Sequence, residues 1–120
     1  MSRLMSVAFT EDAVRARTKT VTRRKGWTFL KPGDRLTLCR KVMGRKAGEP
    51  LVRIVDVEVL DVRREPLWLV DDDEVALEGF PGMPSGEFVR RFFVEAQGMS
   101  PFDIVTRIQW AYREEDTRRP

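Results

Sequence analysis

Histidine is missing from all 120 residues, and cysteine occurs once, as Cys39. The first absence removes Ser-His and Cys-His nucleophilic machinery and the commonest transition-metal ligand. With a single cysteine beside it, the usual zinc sites are excluded, so the expectation is a protein with no metal and no cofactor. A lone cysteine also rules out an internal disulfide and fits a reducing compartment. No apolar run approaches the ~20 residues of a bilayer-spanning helix. The opening residues, Met1 to Ala8, have no signal-type hydrophobic region. The prediction is a cytoplasmic chain without membrane contact. Any general-base work falls to a carboxylate or a lysine.

What is present describes one globular domain: 42% hydrophobic and 34% charged residues in a chain long enough for a single core. We expect that domain over residues 1–113, with 114–120 as a frayed, disordered tail. Net charge is only +3, but residues 1–53 carry 14 Lys/Arg against 4 Asp/Glu, and residues 54–120 carry 8 against 15. Such a basic first half suits an anionic partner, nucleic acid being the usual one. Equally, the two halves can fold together and neutralise one another.

The densest stretch is Arg17-Thr18-Lys19-Thr20-Val21-Thr22-Arg23-Arg24, with four cations, three hydroxyls and one aliphatic residue. Upstream, Phe9 to Val14 reads as a helix start. Thr10 is the N-cap, acids occupy the first turn, and Phe9 and Val14 stand at staple positions. This helix is expected to end near Lys19. From Thr20 the pattern is β-like. In one unbroken strand Lys19 and Thr22 point to opposite faces, so pairing them requires the helix-to-strand junction to fall between them.

Lys31-Pro32-Gly33-Asp34 is a turn, Arg35 to Cys39 a strand, and Gly44 to Pro50 a flexible basic loop carrying Arg45 and Lys46. Val52 to Val62 is a long strand whose apolar phase slips after Val59, as at a β-bulge. Asp71 to Gly79 is a short helix. A second runs from Ser85 or Gly86 to about Ala96, with Val89, Phe92, Phe93 and Ala96 on one face. Asp103 to Tyr112 is the last strand. The order predicts an α+β fold, a small, largely antiparallel curved sheet closing toward a barrel with helices outside.

Lys19-Thr20-Val21-Thr22-Arg23-Arg24, then Lys31-Pro32-Gly33-Asp34, then Glu74 to Gly79, resembles the ASCH domain, over about Phe9 to Tyr112. The resemblance implies a PUA-like β-barrel related to RNA-binding modules. In the family's enzymes a lysine, a threonine and a glutamate hydrolyse N4-acetylcytidine and related acylated cytosines. Lys19, Thr22 and Glu78 match that set, and Arg24 matches the arginine closing the first motif. Arg17 departs from the pattern, because many members have glycine there. A cation at that position is expected to narrow the pocket mouth or to add a phosphate contact.

The chemistry is coherent on its own terms. A threonine hydroxyl needs a base, and lysine serves if burial or neighbouring cations lower its pKa. Glu78 would then orient the lysine or relay its proton. Arg17, Arg23, Arg24, Arg45 and Lys46 are expected to form one positive surface, with Trp27, Phe80 and Trp68 as base-stacking aromatics. Three readings stay open. One is a metal-free amidohydrolase acting on a modified nucleoside. Another is a non-catalytic RNA- or nucleotide-binding module using the same pocket, and the third is a protein-interaction domain using the acidic half.

Overall fold

The longest β-branched run becomes the longest strand, and the sheet is built around it. The computed structural model describes residues 2–113; the tail expected over 114–120 lies outside them. Strand β4 spans Arg53–Pro66, with Val57 and Val59 fully buried. Its register slips between Val59 and Asp61, where the phase slip was expected, and Leu60 is left half exposed. A bulge increases local twist, so a strand this long bends there.

On one side β4 pairs with β3 (Arg35–Cys39), and on the other with β5 (Ile104–Arg113). Strand β5 carries β2 (Val21–Arg24), and β3 carries β1 (Arg3–Ser6), giving the order β1-β3-β4-β5-β2. Three pairings are antiparallel and β1·β3 is parallel. Strand β1 was not expected; four residues with only Met5 fully buried give too short a pattern to read. The sheet curls into a half-barrel that brings its edges β1 and β2 together. The Arg24 guanidinium bridges them, donating to the Ser6 carbonyl at 2.8 Å.

Helix α1 (Glu11–Arg15) is shorter than expected. Arg17 adopts a left-handed backbone, φ 65°, which ends the helix before Lys19. Thr10 makes no side-chain cap bond, and Phe9 is 80% exposed, so the expected staple against Val14 does not form. Helix α2 (Asp72–Leu77) is capped by Asp71, whose carboxylate accepts from Glu74 N at 2.8 Å. Gly79 follows with φ 109°, and a Cβ there would lie 3.1 Å from both Ala13 Cβ and Thr10 Cγ2. Glycine is what lets the end of α2 lie against α1.

Helix α3 begins at Ser85–Val89 and widens into a π-helical stretch, Arg90–Glu95. The wider winding puts residues five apart on one face. Phe88, Val89 and Phe93 are buried; of the residues expected inward, Val89 and Phe93 are so, Phe92 is half-buried and Ala96 is exposed.

Two apolar clusters result. One, inside the curl, includes Met5, Val14, Leu36, Leu38, Val57, Ile108 and Trp110. The other, where α2 and α3 meet the chain before β5, includes Leu67, Val75, Phe88, Phe93 and Val105. Fully burying side chains of this size contributes roughly 1.5–3 kcal/mol each. Among the described residues no helix is long and apolar enough to cross a membrane.

Candidate functional site

Lys19 lies in the short connection between α1 and β2, which begins at Val21, so the junction falls between Lys19 and Thr22. The backbone is pinned from two sides. The Lys19 carbonyl accepts from Trp110 Nε1 at 3.0 Å and from the Tyr112 hydroxyl. Thr20 exchanges backbone bonds with Trp110 and Leu77. The side chain turns into the fold and is 2% exposed, with Nζ donating to the Glu78 carbonyl at 2.6 Å and to Glu78 Oε1 at 3.3 Å. Burial pushes the Lys19 pKa down to about 8; the Glu78 carboxylate opposes this, and the Arg24 and Arg23 charges reinforce it.

Thr22 is buried on β2, and its hydroxyl oxygen accepts from Arg24 Nε at 3.1 Å. A guanidinium on that oxygen favours negative charge there. Glu78 is buried at the C-cap of α2. Lys19, Thr22 and Glu78 line one cavity of about 420 Å³. With Arg23 and Arg24 they form its polar floor, and Phe9, Phe80, Phe88, Phe92 and Phe93 supply an aromatic wall. Phe80 and Phe92 are stacked there with centroids 4.7 Å apart. The Lys19 amine spends its hydrogen bonds on Glu78 rather than on Thr22. The cavity lies between the two cores, taking Val7 from the first and Phe88 and Phe93 from the second.

The single positive surface does not form as expected, because Arg23 is buried in carboxylates. Its NH2 donates to Glu74 Oε1 at 2.6 Å and to Glu65 Oε2 at 3.1 Å, and its NH1 to Glu78 Oε2 at 3.0 Å. Arg24 lines the cavity, whereas Arg17 does not. Arg17 NH1 donates to the Val14 and Arg15 carbonyls at the end of α1, and the guanidinium lies 5.2 Å from the Tyr112 ring centroid. It caps a helix instead of narrowing the pocket mouth.

Arg45 and Lys46 are exposed in the β3–β4 connection and do not line the cavity. Trp27 packs half-buried against the first core, and Trp68 is 55% exposed elsewhere; of the three expected stacking aromatics only Phe80 is in the wall.

Glu74, Glu65 and Arg107 were not anticipated. Glu74 stands four residues before Glu78 on the same helix face, a spacing that could have disclosed it. Its pKa is held at about 2, first by hydrogen bonds from Arg107 at 2.7 and 3.1 Å. Arg107, an arginine amid the apolar residues of β5, was the other available signal. No grouping of three or more His, Cys, Asp or Glu among the described residues could hold a metal ion.

No protein-family model matches the sequence, and no curated protein matches it. Solved structures do. A protein of the DUF984 family from Enterococcus faecalis V583 superposes with a TM-score of 0.68 at 14% identity, over 93% of this chain and 80% of its own. An ASCH domain from Lactobacillus crispatus JV V101 superposes with a TM-score of 0.65 at 13% identity, over 92% of this chain and 79% of its own. Likeness at such identities extends to the backbone alone: the chain has an ASCH-like fold.

Proposed function

We propose that this protein is a metal-free amidohydrolase acting on an N4-acylated cytidine or a related modified nucleoside. The observation that carries the reading is a buried lysine, its pKa brought down to about 8, sharing a cavity floor with a threonine hydroxyl that already bears a guanidinium. Near pH 8 about half of such a lysine is free amine. A neutral amine keeps two N–H donors for the Glu78 carbonyl and Oε1, and its lone pair is left to accept the Thr22 proton.

Thr22 Oγ1 then attacks the acyl carbon; Arg24 stabilises the hydroxyl oxygen while it gives up its proton, and the negative charge passes to the carbonyl oxygen of the tetrahedral intermediate. Collapse of the tetrahedral intermediate breaks the C–N bond, and the Lys19 ammonium returns its proton to the departing cytosine amine. Water, deprotonated by Lys19 in its turn, cleaves the Thr22 ester to release the carboxylic acid. Glu78 keeps the amine in place throughout. The aromatic wall offers a flat heterocycle a face to stack on.

Incubating the purified protein with N4-acetylcytidine and following cytidine release tests this reading. Expected are turnover by wild type, at most a small residual rate in Lys19→Met, and no loss on adding a chelator. No turnover across several acyl cytidines, or equal turnover by Lys19→Met, would sink it. The second reading, a nucleotide- or RNA-binding module, draws on the exposed Arg45 and Lys46 and would then lead.

A further inference from the structure

Arg23 and Arg107 are directly opposite each other on neighbouring strands β2 and β5. Like charges in that register repel. Here both side chains are also buried, at 1% and 6% exposure. Helix α2 resolves the conflict with two glutamates one turn apart. Glu74 Oε1 sits between the arginines, 2.6 Å from Arg23 NH2 and 2.7 Å from Arg107 Nε. Glu78 gives one oxygen to Arg23 and the other to Lys19. Glu65 of β4 completes the partners of Arg23.

From this geometry we infer that Arg23 is a positioning residue. It divides the Glu78 carboxylate between itself and Lys19, and so governs how firmly the amine holds its proton. The inference rests on the reading of Lys19 as the base. The groups facing the amine are Glu78 from α2, Arg23 and Arg24 from β2, and the Trp110 ring of β5, whose centroid is 6.0 Å away. Behind Arg23 stand Glu65, Glu74 and Arg107, with Asp61 3.7 Å from Arg107.

Counting Arg24, the cluster of Lys19, Arg23, Arg24, Arg107, Glu65, Glu74 and Glu78 has one cation in excess while Lys19 is protonated, and the half-exposed Asp61 and Arg63 at its edge, 3.6 Å apart, offset one another. It becomes neutral when the amine is free, and buried clusters favour neutrality. Removing the Arg23 charge leaves Glu78 wholly to Lys19 and strengthens its hold on the proton. Removing the Glu74 charge does the reverse, because Arg23 then bears more fully on Glu78.

The test is the titration of Lys19 itself, followed by NMR in protein labelled with ¹³C at lysine Cε; the resonance that disappears in Lys19→Met assigns it. The midpoint should rise by roughly one pH unit in Arg23→Gln. It should recover part of the way in Arg23→Lys, and fall by a smaller amount in Glu74→Gln. A role confined to holding the fold together would lower stability without moving the midpoint in opposite directions. Should Arg23→Gln not fold, Glu74→Gln decides. An unmoved or raised midpoint in Glu74→Gln, or equal shifts in Arg23→Gln and Arg23→Lys, overturns the inference. The readout needs no substrate. Turnover without these shifts refutes the role of Arg23, and these shifts without turnover refute the hydrolase.

Discussion

Two groups of cations on this chain live under opposite conditions. Lys19, Arg23, Arg24 and Arg107 are withdrawn from water and donate to named carboxylates, carbonyls or a hydroxyl, with Arg23 Nε left unpaired. Arg45 and Lys46 stand in the β3–β4 loop, exposed and loosely held. Charge count alone treats the two groups alike. Desolvation separates them: in the first it alters proton affinity and fixes geometry, and in the second the charges remain available to phosphates and are screened by salt. One set is held in place by its partners, and the other is left in water.

The contrast breaks most sharply at Lys19. Lys19→Met should lower the hydrolysis of N4-acetylcytidine by about 10²–10⁴-fold, the usual weight of a general base, and Thr22→Val should lower it at least as far. Circular dichroism should show both variants folded. Undiminished turnover in Lys19→Met would place the buried lysine outside the chemistry, and in Thr22→Val it would remove the threonine as nucleophile.

Stability measured against pH sharpens the same contrast. The folded-state pKa of Lys19, about 8, lies below the ordinary 10.5. Between those values the unfolded chain binds the proton and the folded chain does not, so stability rises with pH through that window. Relative to Lys19→Met, the wild type should gain up to about 3 kcal/mol from pH 8 to pH 10.5 in urea unfolding. Parallel curves would show that the amine is not desolvated. The hydrolysis rate should climb as pH rises toward and through about 8, where Lys19 loses its proton, and level beyond it.

In the exposed group the expected effects are smaller and of another kind. Replacing Arg45 and Lys46 with glutamate should leave nucleoside hydrolysis unchanged. If RNA binds, every phosphate that the variant no longer neutralises makes the salt slope shallower by about 0.7, which a filter-binding titration would read. Smallest is the effect at Arg17. Arg17→Gly relieves left-handed strain of about 1 kcal/mol but gives up the cap on α1, and should stay within about 1 kcal/mol of wild type. Arg17→Ala keeps the strain, loses the cap, and should be the less stable of the two in thermal melts.

Much of this was legible where a feature is local. The strand Arg35–Cys39, the slip after Val59 and the acid-capped helix before Gly79 follow from alternation, β-branching and turn chemistry within a few residues. The curl follows from the slip. Strand β1 was not legible, because its parallel pairing with β3 depends on a partner some thirty residues away and leaves almost no pattern in four residues. The early end of α1 depends on the backbone at Arg17, and cationic residues rarely announce a left-handed φ. At the site, Lys19, Thr22 and Glu78 were picked out by the family resemblance and line one cavity, but Arg23 was misplaced. A row of neighbouring cations looks solvated until the carboxylates that bury it arrive from β4 and α2.

The strand order β1-β3-β4-β5-β2 has a consequence in time. Lys19 is pinned by Trp110 and Tyr112, more than ninety positions further along the chain. No early hairpin can hold it, because β2 has no hydrogen-bonded neighbour until β5 is in place. The entropy of closing so long a loop is recovered only when the last strand docks, so the sheet can propagate from β3 to β4 to β5 well before the cavity exists. During refolding, protection of amides in β3 and β4 should therefore precede that in β2, and the pocket should be the last part of the molecule to appear.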